Sequence, residues 1–292
     1  MKKKFNLAKF LTLAVLILYS ISMIALIVWM GLTSLKPRRN WDLDLNYIGL
    51  PPEFTFDNYK TIFEKFYVSD PFHPGVKVGV LAQILNSARY ALLGGFLTAL
   101  SPLLVAYACS RFEFKFNKIL ESIVLITMMI PIVGSTPSMI SMLYRLRMYN
   151  TFMGAYCMKF MYITFYFFIY LGIFRSTSKE IYEAATIDGA NEFAVMVRIA
   201  FPLILNVFST VWLIYFIQYW NDYEMALVYL PSHPTLAYGV HSMATDTSAS
   251  KGTNYTTMKM ACGMTLIVPT LTLFVFLKEK LMTNLTAGGV KE

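Results

Sequence analysis

The segment Glu180–Pro202, EIYEAATIDGANEFAVMVRIAFP, is polar and regular although it lies between two strongly apolar stretches of the chain. Thr177, just before the segment, and Glu180, its first residue, have capping-box spacing. In a capping box the hydroxyl accepts a hydrogen bond from the backbone N–H three residues later, and the acid accepts one from the backbone N–H of the capping residue. This pattern predicts a short helix from Ser178 to near Asp188. Gly189 then supplies the left-handed backbone conformation that ends a helix without a steric penalty.

A second helix is predicted after the glycine, and it leads into Pro202 at the start of the next apolar stretch. Its apolar residues recur at helical spacing and should share one face: Phe193, Met196, Val197, Ala200 and Phe201. On the first helix, Ala184 and Ala185 leave a smooth surface that another protein can approach closely. Glu183 beside them offers a charge for an arginine or a backbone donor.

A helix lying on lipid headgroups is the alternative for this segment. Such helices usually carry Lys and Arg on their polar face, whereas here the acids outnumber Lys179 and Arg198. The acidic residues of the segment are Glu180, Glu183, Asp188 and Glu192. This balance favours docking to a protein over binding to lipid.

The composition indicates a membrane protein. Of the 292 residues, 57% are hydrophobic, and the mean hydropathy is +0.53, whereas a soluble domain has about 45–50% apolar residues. The net charge of +8 could suggest a nucleic-acid partner. However, the basic residues form short clusters at the ends of apolar runs, as the positive-inside rule describes. We therefore expect membrane lipid and no nucleic acid as a partner.

Six apolar stretches are each long enough to cross about 30 Å of hydrocarbon as a helix. They predict an all-α integral membrane fold with one transmembrane domain over residues 1–292, external segments at 33–83 and 221–257, and a cytoplasmic loop at 175–200. The predicted spans are approximately 10–32, 84–109, 119–144, 152–174, 201–220 and 258–277. We interpret the first as an uncleaved anchor, because its apolar run is too long for a signal peptide and no A-x-A-like site follows.

Six spans place both termini on one side, and the charges favour the cytoplasm for that side. The segments then inside hold thirteen Lys and Arg in fifty-eight residues, against nine in ninety-five outside. Arg145 and Arg147 are a local exception. The predicted location is the cell membrane of a bacterium, with several spans and cytoplasmic N- and C-termini.

Four prolines lie within these spans: Pro102, Pro131, Pro137 and Pro269. Each frees a backbone carbonyl that needs a partner in a protein interior or a wet cavity. A bundle around a pathway and simple kinks accommodated by packing are both consistent with them. Lys159 in the outer part of the fourth span, Arg89 and Glu121 are ionisable, and those at span ends can reach the interface. No chain of Asp, Glu and His that would relay protons is visible.

The external segment 33–83 contains PPEFTFDNYKTIFEKF, which predicts a surface helix with Thr55 as N-cap. Its aromatic residues recur at helical spacing: Phe56, Tyr59, Phe63 and Phe66. We expect this face to pack on the chain's own bundle, with contact to a partner as the alternative. The segment 221–257, rich in Ser, Thr, Gly and Pro, is either filler or a probe for an external partner.

No catalytic or metal site is predicted. The three cysteines have no metal-ligand spacing, and the three histidines form no HExxH or triad-like pattern. A G-x-x-x-x-G-K-[ST] loop is also missing from the sequence, so the chain has no loop of this kind for ATP phosphates.

The segment at the opening carries a family signature. The spacing EAA-x3-G-x9-I-x-L-P is typical of permease subunits of binding-protein-dependent ABC importers, and the chain resembles them with Phe201 in place of the leucine. The matching positions are Glu183, Ala184, Ala185, Gly189, Ile199, Phe201 and Pro202. Segments such as LNSARYAL, AYACSRFEF and YWNDYEMAL resemble the sugar-importer, MalG-like branch. Ser178 stands where that branch usually has proline, and the tail KEKLMTNLTAGG is less regular than usual.

The resemblance implies the type I ABC importer permease fold and a set of partners. These are a second permease subunit, two ATP-binding subunits that hold ATP and Mg, and an extracytoplasmic solute-binding protein. The loop is then the coupling element to the ATPase, through Glu183, Ala184, Ala185, Asp188 and Gly189. No cofactor is expected on this chain itself.

The family also implies a sugar or oligosaccharide as substrate. The end of the fifth span carries groups suited to sugar hydroxyls and rings: Gln218, Tyr219, Trp220, Asn221 and Asp222. Tyr219 and Trp220 are equally consistent with an aromatic interface anchor. A permease for a non-sugar solute, a secondary transporter or channel without an ATPase, and a membrane enzyme are the rival interpretations.

Overall fold

The computed structural model describes residues 7–112, 115–130, 133–161, 163–245 and 255–287. The chain divides into two compact units, residues 1–67 with 240–269 and residues 68–239 with 270–292. Two helices, α13 (Leu236–Thr245) and α14 (Thr256–Ala287), contribute residues to both units. That the chain forms one transmembrane domain stays a prediction.

The first unit contains α1 (Leu7–Ser34), α2 (Arg38–Asp42) and α3 (Asp57–Lys65). Asn58 joins three of its elements: its amide donates to the carbonyls of Ser34 (2.8 Å) and Lys36 (2.9 Å), and its oxygen accepts from Thr257 at 3.3 Å. The Lys36 side chain is almost fully buried and donates to the Asn46 carbonyl at 2.7 Å. Burial lowers the pKa of Lys36, because the charged form loses hydration.

The prediction for the external helix α3 is wrong at its start and only partly right for its aromatic face. The helix begins at Asp57, and Thr55 accepts a hydrogen bond from the Asp57 amide without acting as N-cap. Phe66 is buried and Tyr59 is half-buried, but Phe56 is 71% exposed and Phe63 48% exposed, and the packed face of the helix is formed by Asn58 and Ile62. The aromatic spacing was regular, but the buried amide of Asn58 determines which face turns inward, since its hydrogen bonds are available only there.

The second unit contains the two-stranded sheet and most of the helices. Strand β1 (Tyr67–Ser69), which starts at the last residue of the first unit, pairs with β2 (Lys77–Gly79). The helices that follow are α4 (Val80–Arg111), α5 (Asn117–Met129), α6 (Thr136–Arg145), α7 (Phe152–Phe160), α8 (Tyr166–Ser176), α9 (Lys179–Ile187), α10 (Glu192–Val195), α11 (Phe201–Trp220) and α12 (Glu224–Val228).

Helix α4 is central in this unit and packs against α7, α8 and α11. Its close approach to α11 depends on Gly95, where an added Cβ would lie 3.1 Å from the backbone nitrogen of Phe216. Small residues at such contacts let two membrane helices come near each other. Pro102 lies inside α4 and Pro269 inside α14, while Pro137 lies in the first turn of α6, where the missing N–H has no helical partner to lose.

Four helices in the described residues are long and apolar enough to cross a membrane: Leu7–Ser34, Val80–Arg111, Glu192–Trp220 and Thr256–Phe276. They overlap four of the six predicted spans. The predicted span 119–144 is two helices, α5 and α6, with Gly134 between them at a φ of +78°. The predicted span 152–174 is also two helices, α7 and α8. Hydropathy does not register such interruptions, because they leave the apolar content unchanged. Pro131 lies outside the described residues.

Candidate coupling loop and its surroundings

Helix α9 begins at a serine cap. The Ser178 hydroxyl accepts from the Glu180 amide at 3.3 Å, so the predicted cap at Thr177 is one residue too early. The Thr177 hydroxyl instead donates to the Ile173 carbonyl at the end of α8, at 3.0 Å. Both residues could cap α9. Thr177 instead donates to α8, because the last carbonyls of α8 also need hydrogen-bond partners.

The end of α9 confirms the predicted glycine stop. Gly189 has a φ of +86°, and its amide donates to the Thr186 carbonyl at 3.1 Å. The Ala190 amide donates to the Ala185 carbonyl at 3.0 Å. These two bonds form a Schellman motif, which satisfies the carbonyls left open at a helix end. An added Cβ at Gly189 would meet no atom of the described residues within 4 Å, so it is the backbone conformation that requires glycine here.

The second helix starts at Asn191, whose side-chain oxygen accepts from the Ala194 amide at 2.8 Å. It runs through α10 and a π-helical turn, Met196–Ala200, directly into α11. The predicted apolar face is only partly right, because Phe193 is 70% exposed. Phe193 lies before the π-helical turn, which holds more residues than an α-helical turn and therefore shifts Phe193 out of phase with Ala200 and Phe201.

The loop presents one face to solvent and keeps another buried. Glu183, Ala184, Asp188 and Gly189 are exposed and Ala185 is half-buried, whereas Tyr182 is buried. The Tyr182 ring lies under the Arg111 guanidinium, 5.8 Å from its centroid. Burial raises the pKa of Tyr182, because the phenolate form is poorly solvated there. The residues predicted to couple are therefore gathered on an accessible surface of the chain.

Sequence reasoning missed Arg111, which holds the two helices of the loop in place. From the last turn of α4, its guanidinium pairs with Glu192 at 3.0 and 3.3 Å and reaches the Thr186 hydroxyl at 3.4 Å. Glu192 belongs to α10 and Thr186 to α9, so one side chain contacts both sides of the glycine turn. The motif AYACSRFEF contains this arginine, but no local pattern indicates a partner 81 residues away.

The five residues predicted at the end of α11 do not lie in one environment. Gln218 and Asn221 are exposed, whereas Tyr219 and Trp220 are each 5% exposed and belong to the packed interior. Asp222 is half-buried and accepts a hydrogen bond from the Tyr90 hydroxyl at 2.8 Å. The end of α11 thus combines two accessible polar groups with three groups that bind within the chain.

Lys159 contacts two of the tyrosines near the end of α11, Tyr219 and Tyr90. Its ammonium lies 4.3 Å from the centroid of the Tyr219 ring and 5.8 Å from that of Tyr90, so it turns toward aromatic rings in cation–π contacts. The Tyr219 hydroxyl is hydrogen-bonded to Thr98 at 2.9 Å. The sequence interpretation left Lys159 as a residue of the outer span without partners. Its contacts instead link α7 to α4 and α11.

A second polar cluster joins the loops near β1 and β2. Asp70, 5% exposed, accepts hydrogen bonds at 2.8 Å from the Phe72 amide and the Ser232 hydroxyl and is paired with His73 at 2.8 Å. Burial alone would raise the pKa of Asp70, but the hydrogen bonds from these groups lower it to about 2. Asn150, with a φ of +58°, donates to the same Ser232 at 2.7 Å.

Residues 83–282 match the family model described as "Binding-protein-dependent transport system inner membrane component". The chain belongs to this family. The matched range contains the candidate coupling loop, nearly all of α4 including Arg111, and the whole of α11. It is a multi-pass membrane protein and a transport subunit.

Curated relatives of this permease include sugar import permeases. It is 26% identical over 263 residues to the melibiose/raffinose/stachyose import permease protein MelC of Bacillus subtilis, covering 89% of this chain and 88% of the relative. It is 25% identical over 267 residues to the arabinooligosaccharides transport system permease protein AraQ of Bacillus subtilis, with the same two coverages.

Among solved structures, the permease is similar to a chain from a bacterial ABC transporter that imports the acidic polysaccharide alginate. The TM-score is 0.74 at 18% identity, covering 96% of this chain and 99% of the other. At this identity the likeness shows the fold, and it confirms the expected type I ABC importer permease architecture.

Proposed function

We propose that this permease imports a sugar or oligosaccharide, forming the translocation pathway with a second permease subunit. In this proposal two ATP-binding subunits, which hold ATP and Mg, drive the cycle, and an extracytoplasmic solute-binding protein delivers the substrate. The names of the curated relatives support the sugar class. The protein lies in a bacterial cell membrane with both termini in the cytoplasm, the orientation that the Lys and Arg distribution favours.

The single observation that best supports the coupling role is the geometry of the loop. Glu183, Ala184, Asp188 and Gly189 are exposed on an element whose other face is fixed by Tyr182 and Arg111. Small side chains beside an exposed carboxylate suit close docking of a protein that carries a cation. Because α10 continues through the π-helical turn into α11, a displacement of the docked loop is passed to a candidate membrane span without a flexible joint.

Substrate contact is proposed for the accessible groups at the end of α11, Gln218 and Asn221. Asp222 and Tyr219 shape that end from inside the chain through their hydrogen bonds with Tyr90 and Thr98, and the buried Trp220 stacks on Phe216. Amide side chains both donate and accept hydrogen bonds, which suits the hydroxyl groups of a sugar.

The coupling role is tested by Glu183→Lys in the transporter reconstituted in proteoliposomes with its ATPase subunits and its solute-binding protein. We expect transport and substrate-stimulated ATP hydrolysis to fall at least tenfold, while the permease remains in the membrane at its normal level. Glu64→Lys is the matched control, since Glu64 is also an exposed glutamate and lies on α3, outside both the coupling loop and the end of α11. Normal uptake by the Glu183 variant with an active ATPase would refute the assignment.

A further inference from the structure

A recess of about 260 Å³ lies beside the coupling loop, where three helices of the second unit meet. The end of α4, the end of α8 and the start of α9 surround it. The lining residues that carry the argument are Tyr107, Arg111, Arg175, Lys179 and Tyr182. In the orientation proposed above, this is the cytoplasmic end of the spans.

Two tyrosine hydroxyls are buried in the recess, with Tyr107 5% exposed and Tyr182 6% exposed. Arg111 lies close to the first and Thr177 close to the second, but among the residues that the structure describes neither hydroxyl has a partner with good hydrogen-bond geometry. Buried hydroxyl groups are nearly always hydrogen-bonded, and leaving one without a partner forfeits its hydration without compensation. Two such groups lining one recess indicate that a ligand with acceptor atoms completes the site.

The two arginines of the recess retain donor capacity. Arg111 donates through Nε and Nη2 to Glu192 and Thr186, and Arg175 donates through Nη1 and Nη2 to Glu121. In the described part of the chain no carboxylate pairs with Nη1 of Arg111 or Nε of Arg175, so both can donate to a ligand. Guanidinium groups that are already oriented by a carboxylate are well suited to phosphate, since little side-chain freedom remains to be lost.

The start of α9 adds a further favourable contribution. The recess is lined by Thr177 and Lys179, on either side of the Ser178 cap. The amide groups and the helix dipole make this end of a helix electropositive. Glu183 also lines the recess and is exposed on its solvent side, whereas the interior carries the two tyrosine hydroxyls and the two paired guanidinium groups.

We propose that this recess binds a phosphate group, with Tyr107 and Tyr182 donating to its oxygen atoms beside Arg111 and Arg175. Basic recesses between helices on the cytoplasmic side of a membrane bind the headgroups of anionic phospholipids, and inorganic phosphate offers the same chemistry. Bound phosphate joins α4 and α8 to the first turn of α9 and thereby holds the coupling loop against the spans. That regulatory consequence rests on the proposed coupling role, whereas the binding itself does not.

The test measures binding directly in the assembled, purified transporter. Retained phosphatidylglycerol is counted by native mass spectrometry after extraction from phosphatidylglycerol nanodiscs. In a second arm, inorganic phosphate is titrated into transporter in phosphatidylcholine nanodiscs and followed by phosphorus NMR. Retention of the lipid identifies a headgroup as the ligand, and saturable phosphate binding without lipid retention identifies the free anion. Binding in neither arm, at up to about 10 mM phosphate, overturns the proposal.

The deciding variant is Tyr107→Phe combined with Tyr182→Phe, which removes both hydroxyls and keeps the rings. We expect occupancy to fall about tenfold or more, because two hydrogen bonds to a charged group are lost, while the unfolding temperature stays the same or rises. Tyr170→Phe is the matched control: its hydroxyl is also buried without a partner in the described residues, but it does not line the recess. Equal occupancy in the double variant and the wild type, or an equal fall in the control, overturns the proposal. The assay measures phosphate or lipid bound to the purified transporter and does not depend on transport. The result would therefore be the same if the proposed coupling role were wrong.

Discussion

Substitution of Gly189 separates backbone conformation from bulk in the coupling loop. The residue adopts a φ of +86°, and an added Cβ would meet no atom within 4 Å. Any penalty is therefore conformational. For an ordinary L-residue the left-handed region costs about 1–2 kcal/mol, while asparagine adopts it more readily. A penalty of that size lowers the population of the intact turn relative to an opened one by a factor of about 5–30.

Three variants follow from this reasoning. Gly189→Asn should keep most activity, Gly189→Ala should lose part of it, and Gly189→Val should lose most, since a β-branched residue is least tolerant of positive φ. The assay is substrate uptake together with binding-protein-stimulated ATP hydrolysis in proteoliposomes. Loss of coupling appears as reduced uptake and reduced stimulated hydrolysis, while basal ATP hydrolysis is unchanged and the permease is still in the membrane.

Gly172→Ala provides the matched control for this series. Gly172 also has open space around an added Cβ, but it lies inside α8 without positive φ. Replacing a helical glycine by alanine generally stabilises the helix by about 0.5–1 kcal/mol, so uptake should be unchanged. The reasoning is refuted if Gly189→Asn is as damaging as Gly189→Val, because bulk would then matter more than conformation. Normal uptake by Gly189→Val would refute the coupling role of the turn.

Other parts of the chain give further predictions. Gly95→Ala should destabilise the permease by about 1–3 kcal/mol, because its Cβ would lie 3.1 Å from the Phe216 backbone nitrogen; a thermal unfolding series in detergent that shows no shift would contradict this packing. Asp70 has a pKa lowered to about 2, against about 3.9 in an unfolded chain. Its contribution to stability is therefore fully present above about pH 4 and is lost as the pH falls toward 2. Asp70→Asn should lower the unfolding temperature at pH 6 and show a smaller further loss between pH 4 and 2 than the wild type. Parallel pH profiles for the two proteins would rule out this origin of acid sensitivity.

The glycine turn could be predicted from sequence because every determinant is local. A helical run, a glycine immediately after Asp188 and a new polar cap lie within a dozen residues, and the Schellman motif uses only their backbones. The start of the same helix shows where local reasoning fails. Thr177 and Ser178 both have hydroxyls suited to a cap, and the choice depends on what the end of α8 needs. Ser178, which departs from the usual family pattern, supplies the cap.

Contacts distant in sequence could not be predicted from one chain. The pairing of Arg111 with Glu192 spans 81 residues, and the contact of Lys159 with Tyr219 depends on how α7 and α11 both pack against α4. The broken helices are a separate case. Hydropathy sums apolar content over a window, so 119–144 and 152–174 gave the signal of continuous spans although each is two shorter helices. Whether these pairs cross the membrane stays a prediction.

The acids of the opening segment show how the fold assigns different tasks to similar residues. By sequence alone, Glu183 and Glu192 are equivalent: both are acidic residues of a loop suited to docking. In the structure Glu192 is neutralised by Arg111 and belongs to the internal support of the loop. Glu183 is exposed next to the alanines, so its charge remains available to another protein. A carboxylate held by a guanidinium in its own chain has little left to offer a partner. Charge reversal at Glu183 should therefore impair recognition, whereas reversal at Glu192 should displace α10 from α4.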